Sequence, residues 1–195
     1  DNGKKLSGLV ELGYRKRVLQ RLGYATEEDT ITEKGRVACE LSSADELLLT
    51  EMIFTGAFTD LSPADAAALL SCFVFQERAP IGKLSDSLSE HLRTMQGMAK
   101  KIAKISIECK LELDEEKYVE SFCPAMMTVV SKWCSGATFA EILETSDIFE
   151  GSIIRCMRRL EELLQEMVNA ARSMGDRPLE QKFEQARSLL KRDIV

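Results

Sequence analysis

Arg155, Arg159, Glu162, Glu166 and Asn169 are the residues whose types and spacing are best suited to recognition chemistry. At about 100° per residue on a helix, all of them fall within an arc of roughly 80°. A row of planar guanidinium donors and carboxylate acceptors can meet phosphates, base edges or the surface of another protein. On the opposite side, Ile153, Met157, Leu160, Leu164, Met167 and Ala171 keep the i, i+3, i+4, i+7 spacing that buries a helix against a bundle. The charged row has a second reading. Arg and Glu three or four residues apart commonly pair on a solvated face, each pair contributing about 0.2 to 0.5 kcal/mol. Spacing alone leaves both readings open.

Other chemistry lacks its parts. No GxxxxGK[ST] pattern surrounds Gly82-Lys83 or any other glycine, so nucleotide binding through a phosphate-wrapping loop is excluded. His91 is the sole histidine and has no second ligand four residues on, which removes zinc binding and histidine catalysis and leaves it as a surface residue. Neither GxSxG nor HExxH occurs. Asp and Glu are too plentiful for any pair to be singled out as an acid/base dyad. No catalytic, metal-ligating or cofactor-binding residue is therefore assigned.

The 195 residues, 45% hydrophobic and 30% charged, are enough for one main core of a soluble globular type. No apolar run approaches the length of a membrane span, and no partner membrane is expected. The start at Asp1-Asn2-Gly3-Lys4-Lys5 has neither an initiating Met nor a signal-peptide core, so the chain is expected to be a fragment. Six cysteines without a CxxC, mostly among apolar neighbours, read as free buried thiols. A net charge of −6 gives no general attraction to nucleic acid, so any such contact must be local. Basic residues do cluster, at Arg15 to Arg21, Lys100 to Lys104 and Arg155 to Arg159.

The elements that would hold these residues are helical. A basic helix is predicted from Leu9 to Leu22, closed by Gly23. Thr30 to Leu41, with β-branched residues and a Lys34-Gly35 turn, predicts a short extended pair. Beyond Ser42 the expected elements are a helix opened by a Ser43/Glu46 capping box, one opened by Ser62-Pro63, and a long helix from about Ser85 to Leu111. Asp114 caps a shorter one, and another holds Val129, Val130 and Trp133. A Thr138/Glu141 capping box then begins a helix-turn-helix-like pair leading into the charged helix, and Leu179 to Arg192 form the last element. The fold class is thus all-α, a bundle of about seven to eight helices.

Two functions from different classes fit: a bundle that contacts single-stranded nucleic acid through one helix face, or a protein-interaction bundle with no direct nucleic-acid contact. A weaker third is duplex DNA reading by a recognition helix starting near Phe149, with Ser152, Arg155 and Arg159 toward a groove. Glu150, Glu161 and Glu162 on that helix oppose it, because they would face phosphates.

The segments Gly35 to Glu40, Ser42 to Glu51, Ala67 to Glu77, Trp133 with Gly136 to Phe139, Phe149 to Arg155, Arg159 to Leu163 and Lys191 to Val195 carry a family likeness. From Arg15 onward the chain resembles the C-terminal helical (DSHCT, ratchet-helix) domain of DExH-box exosome RNA helicases, the nuclear type more than the cytoplasmic superkiller type. The resemblance implies a domain, residues 42–195, that packs in cis on the ATPase and winged-helix domains of an ATP-dependent 3'-5' RNA helicase. Residues 1–41 would be the edge of the winged-helix region, with the basic helix packed on the remainder of the protein.

In that family a ratchet helix lines the path of single-stranded RNA, and an Arg with a Glu three residues later contacts bases. The matching positions are Arg159 and Glu162, and Arg155 is added one turn earlier on the same face. Glu162 is expected to pair with Arg159 and keep the track from trapping phosphates, while Arg158, Glu161 and Glu166 stay on a solvated face. The resemblance further implies ATP and Mg in the parent helicase but no cofactor in this piece. It also implies nuclear exosome and polyadenylation-complex (TRAMP) subunits as partners, and a nuclear location that includes the nucleolus. The family continues beyond the Arg-Asp-Ile-Val segment, so the resemblance implies that this chain is expected to be trimmed.

Overall fold

The computed structural model describes the backbone of residues 2–192 and the side chains of residues 8–192. Asp193 to Val195, the end of one family-like segment, lie outside the described residues. Among the described residues the chain forms ten α-helices: α1 (Asn2–Arg21), α2 (Glu33–Ala38), α3 (Glu46–Phe54), α4 (Pro63–Ser71), α5 (Asp86–Glu108), α6 (Glu115–Glu120), α7 (Met127–Cys134), α8 (Phe139–Thr145), α9 (Glu150–Ser173) and α10 (Arg177–Leu190). A 3-10 turn at Pro124–Met126 leads into α7. The all-α class is as expected. The count exceeds seven to eight because several short segments, α2 among them, are helical.

Local chemistry sets most helix starts. Ser62, Ser85 and Asp114 each accept a hydrogen bond from the backbone N–H three residues on, and Thr138 with Glu141 closes a reciprocal capping box. At the other ends Gly23 and Gly175 take the positive φ that stops α1 and α9.

The expected extended pair at Thr30 to Leu41 is not formed. Only an isolated bridge, Ala25 to Ile31, is extended, and the following residues make α2, capped by Thr32. Gly35 is not a turn glycine. It lies inside α2, where a Cβ would come 2.3 Å from the carbonyl oxygen of Tyr24, so its role is close approach of two backbone segments. The Ser43/Glu46 capping box is also replaced. Asp45 caps α3 by accepting from the Leu48 N–H at 3.0 Å, because Ser42 and Ser43 are bound elsewhere.

α4 occupies the centre. Its Ala66, Ala67, Ala68, Leu69 and Leu70 are all buried, and small side chains on successive positions let α7, α9 and α10 close around it. α9 packs most extensively on α10, and α5 covers the opposite side with Leu88, Leu92, Met95, Ala99 and Ile102. His91 on α5 is only partly exposed, with Nε2 3.2 Å from the Ser87 hydroxyl and 3.7 Å from Asp65 on α4. It therefore lies at a helix–helix seam, not out on the free surface.

A smaller cluster of Val18, Leu22, Tyr24, Ala38 and Cys109 joins α1 and α2 to the end of α5. The C-terminal end is pinned by Arg192. Its guanidinium lies 3.8 Å over the Trp133 ring and donates to the Ala137 carbonyl at 2.6 Å, while the indole N–H donates to the Leu190 carbonyl at 2.8 Å.

Candidate nucleic-acid interface

α9 runs 24 residues from the cap at Phe149. Its predicted stripe, Ile153, Met157, Leu160, Leu164, Met167 and Ala171, is buried throughout, joined by Cys156, Leu163, Val168 and Ala170. Each fully buried Leu, Ile or Met contributes about 1.5 to 3 kcal/mol, so the helix is held as a rigid rod along its whole length. Burial pushes the Cys156 thiol up to about 12 and the Cys134 thiol up to about 11, so neither is a nucleophile near neutral pH.

The outer face divides in two. In its first half Arg155, Arg158, Arg159 and Glu162 are exposed. Arg155 donates from Nη2 to Oε1 of Glu77 at 2.6 Å and from Nε at 3.2 Å, and a further bond reaches the Ser152 hydroxyl at 3.3 Å. Glu77 comes from the segment after α4. The Ser152 hydroxyl and the Arg155 guanidinium hold its carboxyl below the usual carboxylate range, with the Arg159 charge adding to the effect. Among the described residues, Arg159 and Glu162 make no side-chain hydrogen bond or ion pair, with each other or with anything else. The Arg159–Glu162 pairing expected from their spacing is absent, and both groups project freely from a fixed backbone.

In the second half the same row is engaged. Glu166 accepts from the Ser42 N–H at 3.1 Å, the Ser42 hydroxyl at 2.6 Å and the Ser43 N–H at 3.0 Å. Partial burial pushes its carboxyl up, but these three bonds from Ser42 and Ser43 outweigh that and leave it below the usual range. Gln165 donates to Asn169 at 3.1 Å, and Arg172 bridges to Glu180 at 2.8 Å and to Glu184 at 3.6 Å on α10. Glu161 lies 3.6 Å from both Arg187 and Lys191. The solvated-face reading of Glu166 and Glu161 is thereby corrected: Glu166 ties the α2–α3 junction to α9, and Glu161 reaches the end of α10. It holds for Arg158, which is exposed.

Duplex reading is disfavoured by burial, because Ser152, which it needs at a groove, is only 6% exposed. Sequence reasoning missed Glu77. Only its place in the family-like Ala67 to Glu77 segment pointed to it. No group of three or more His, Cys, Asp or Glu able to hold a metal occurs among the described residues, and no described helix is long and apolar enough to cross a membrane.

The family model described as the DSHCT (NUC185) domain matches residues 28–195. The Exosome RNA helicase MTR4 of Homo sapiens is 61% identical over 186 residues, covering 95% of this chain and 18% of the relative. The ATP-dependent RNA helicase mtr4 of Schizosaccharomyces pombe is 52% identical over 194 residues, covering 98% and 17%. The Superkiller complex protein 2 of Homo sapiens is 38% identical over 188 residues, covering 96% and 15%. The chain thus spans under a fifth of the length of these curated relatives.

Proposed function

The chain belongs to the DSHCT (NUC185) domain family, and from that premise we propose that it serves as the C-terminal helical domain of an ATP-dependent 3'-5' RNA helicase that feeds RNA to the nuclear exosome. In this reading the first half of α9 is a ratchet helix on one wall of the RNA channel, with Arg155, Arg159 and Glu162 as its contacts. The observation that carries it is the free state of Arg159 and Glu162, exposed and unbonded among the described residues, on a helix whose other face is buried end to end.

The chemistry suits sliding. Arginine stacking on bases contributes about 1 to 3 kcal/mol per base and tolerates any sequence, so each contact is strong enough to hold a strand and weak enough to release it. Glu162, unpaired, offers an acceptor to base edges and repels phosphates, so the strand presents its bases to the helix. ATP and Mg belong to the parent helicase's other domains, because this chain has no phosphate-wrapping loop. Residues 1–41 form the edge of a winged-helix region in cis. Exposed Leu9 and Leu12 on α1, at 67% and 62%, are the apolar positions that such a neighbour covers. Exosome and TRAMP subunits as partners, and a nuclear and nucleolar location, belong to the same reading.

Arg159→Ala in the complete helicase tests it. RNA affinity and RNA-stimulated ATP hydrolysis should fall by about fivefold to a hundredfold, the range of one stacking contact, with the melting temperature unchanged. Unchanged RNA kinetics at limiting RNA, or a large loss of stability, would contradict it.

A further inference from the structure

Phe149 is the most exposed of the large apolar side chains among the described residues, at 71%, and it stands at the start of the helix that carries Arg155 and Arg159. The backbone under it is glycine. A Cβ at Gly151 would lie 2.6 Å from Cε1 of the Phe149 ring and 3.3 Å from Nη1 of Arg155, so ring and guanidinium rest side by side on one bare patch of helix. Gly151 has no positive φ, and glycine in place of alanine costs a helix about 1 kcal/mol. Its smallness therefore serves the close approach of these two side chains and not a turn.

The arrangement is fixed from the far side as well. Glu77 holds the Arg155 guanidinium at 2.6 Å, which keeps it beside the ring. Phe149 contributes nothing to the hydrophobic core, which closes beneath it at Ile148 and Ile153. An aromatic face left in water beside a fixed cation, on the same helix as Arg159, offers what an unpaired nucleobase needs: a π surface, with a guanidinium next to it for the phosphate or base edge. The neighbouring Glu150 is exposed and repels phosphate, which turns the backbone of a bound strand toward the Arg155 side. Three arginines within one turn, Arg155, Arg158 and Arg159, favour a polyanion over an apolar protein surface as the occupant.

We propose that Phe149 is a base-stacking residue for single-stranded RNA, extending the α9 track one turn toward the helix start, with Gly151 as the residue whose missing Cβ leaves room for both the ring and Arg155. This rests on the RNA reading of α9.

The test uses the complete helicase and single-stranded RNA carrying one 2-aminopurine at successive positions, whose fluorescence is quenched by stacking. Phe149→Ala and Phe149→Leu should each weaken RNA binding by about tenfold and relieve quenching at one position, because leucine keeps the bulk and lacks the π face. Phe149→Trp should keep both. Gly151→Ala, which forces the ring off its seat, should reproduce the loss without lowering the melting temperature. If Phe149→Leu retains what Phe149→Ala loses, the ring is apolar filler against a neighbouring domain and the proposal fails. If neither variant changes binding while Arg159→Ala does, stacking at Phe149 is wrong and the track stands. If Arg159→Ala is silent too, the track itself is wrong.

Discussion

The two halves of α9 share one buried stripe and one charged row, yet they use the row differently. From Glu166 onward the polar side chains are consumed inside the molecule, Glu166 by Ser42 and Ser43, Asn169 by Gln165, and Arg172 by Glu180 and Glu184. Before it, Arg155 is engaged by Glu77, and Glu161, off the row, reaches Arg187 and Lys191, while Arg159 and Glu162 face outward unbonded among the described residues. The buried side cannot distinguish the halves and the charged side does. A carboxylate whose oxygens already accept three hydrogen bonds, as in Glu166, has little left for a ligand. Arg159 and Glu162 are free among the described residues and Arg155 keeps its Nη1 donors beyond its bonds to Glu77 and Ser152, so these three are preorganised on a rigid helix.

The largest effect checks that the buried sides are equivalent. Leu160→Ala and Met167→Ala, one under each half, should each cost about 2 to 5 kcal/mol in chemical denaturation. A loss confined to one of them would mean that the halves already differ in packing.

Glu166→Gln comes next. It should lower stability by roughly 1 to 2 kcal/mol, because a carboxylate accepting several hydrogen bonds is replaced by a neutral acceptor, and it should leave RNA affinity unchanged. The Glu166 carboxyl is held below its ordinary value, so its contribution is present above the unfolded value of about 4.3 and is lost as pH falls through the lower folded value. The difference between the unchanged protein and Glu166→Gln should therefore vanish in acid. A gap that persists at pH 2 would place its origin in packing.

The smallest effect is at Glu77. Glu77→Gln removes an exposed carboxylate from beside Arg155 and Arg159. Melting should not move, and RNA affinity should rise a fewfold at low salt and return to the parent value at high salt, as a screened surface charge requires. Glutamine keeps an acceptor for Arg155, so a fall in affinity would mean that the Glu77 charge itself, and not only its hydrogen bond, is needed to hold the guanidinium in place.

What was legible in the sequence is what depends on neighbours along the chain. The α9 stripe follows from a 3.6-residue period, and Ser62, Ser85, Asp114 and Thr138 cap their helices through bonds spanning three residues. The errors arise where distant chain decides. Gly35 resembles a turn residue until the Tyr24 carbonyl is seen against it. Ser43 and Asp45 are both good caps, and Asp45 takes the role because Glu166, 123 residues on, binds the Ser43 N–H. Glu77 meets Arg155 across 78 residues, a pairing that no local pattern encodes. The choice of Arg159 and Glu162 came from family likeness, since spacing treats them as it treats Glu166.

Ultraviolet crosslinking of RNA bound to the complete helicase, with adducts mapped to peptides, tests the division of α9 most directly. Adducts on residues 149–162 and none on 166–173 are the predicted result. Crosslinked RNA with no adduct on residues 149–162, or with adducts concentrated on 166–173, would contradict it.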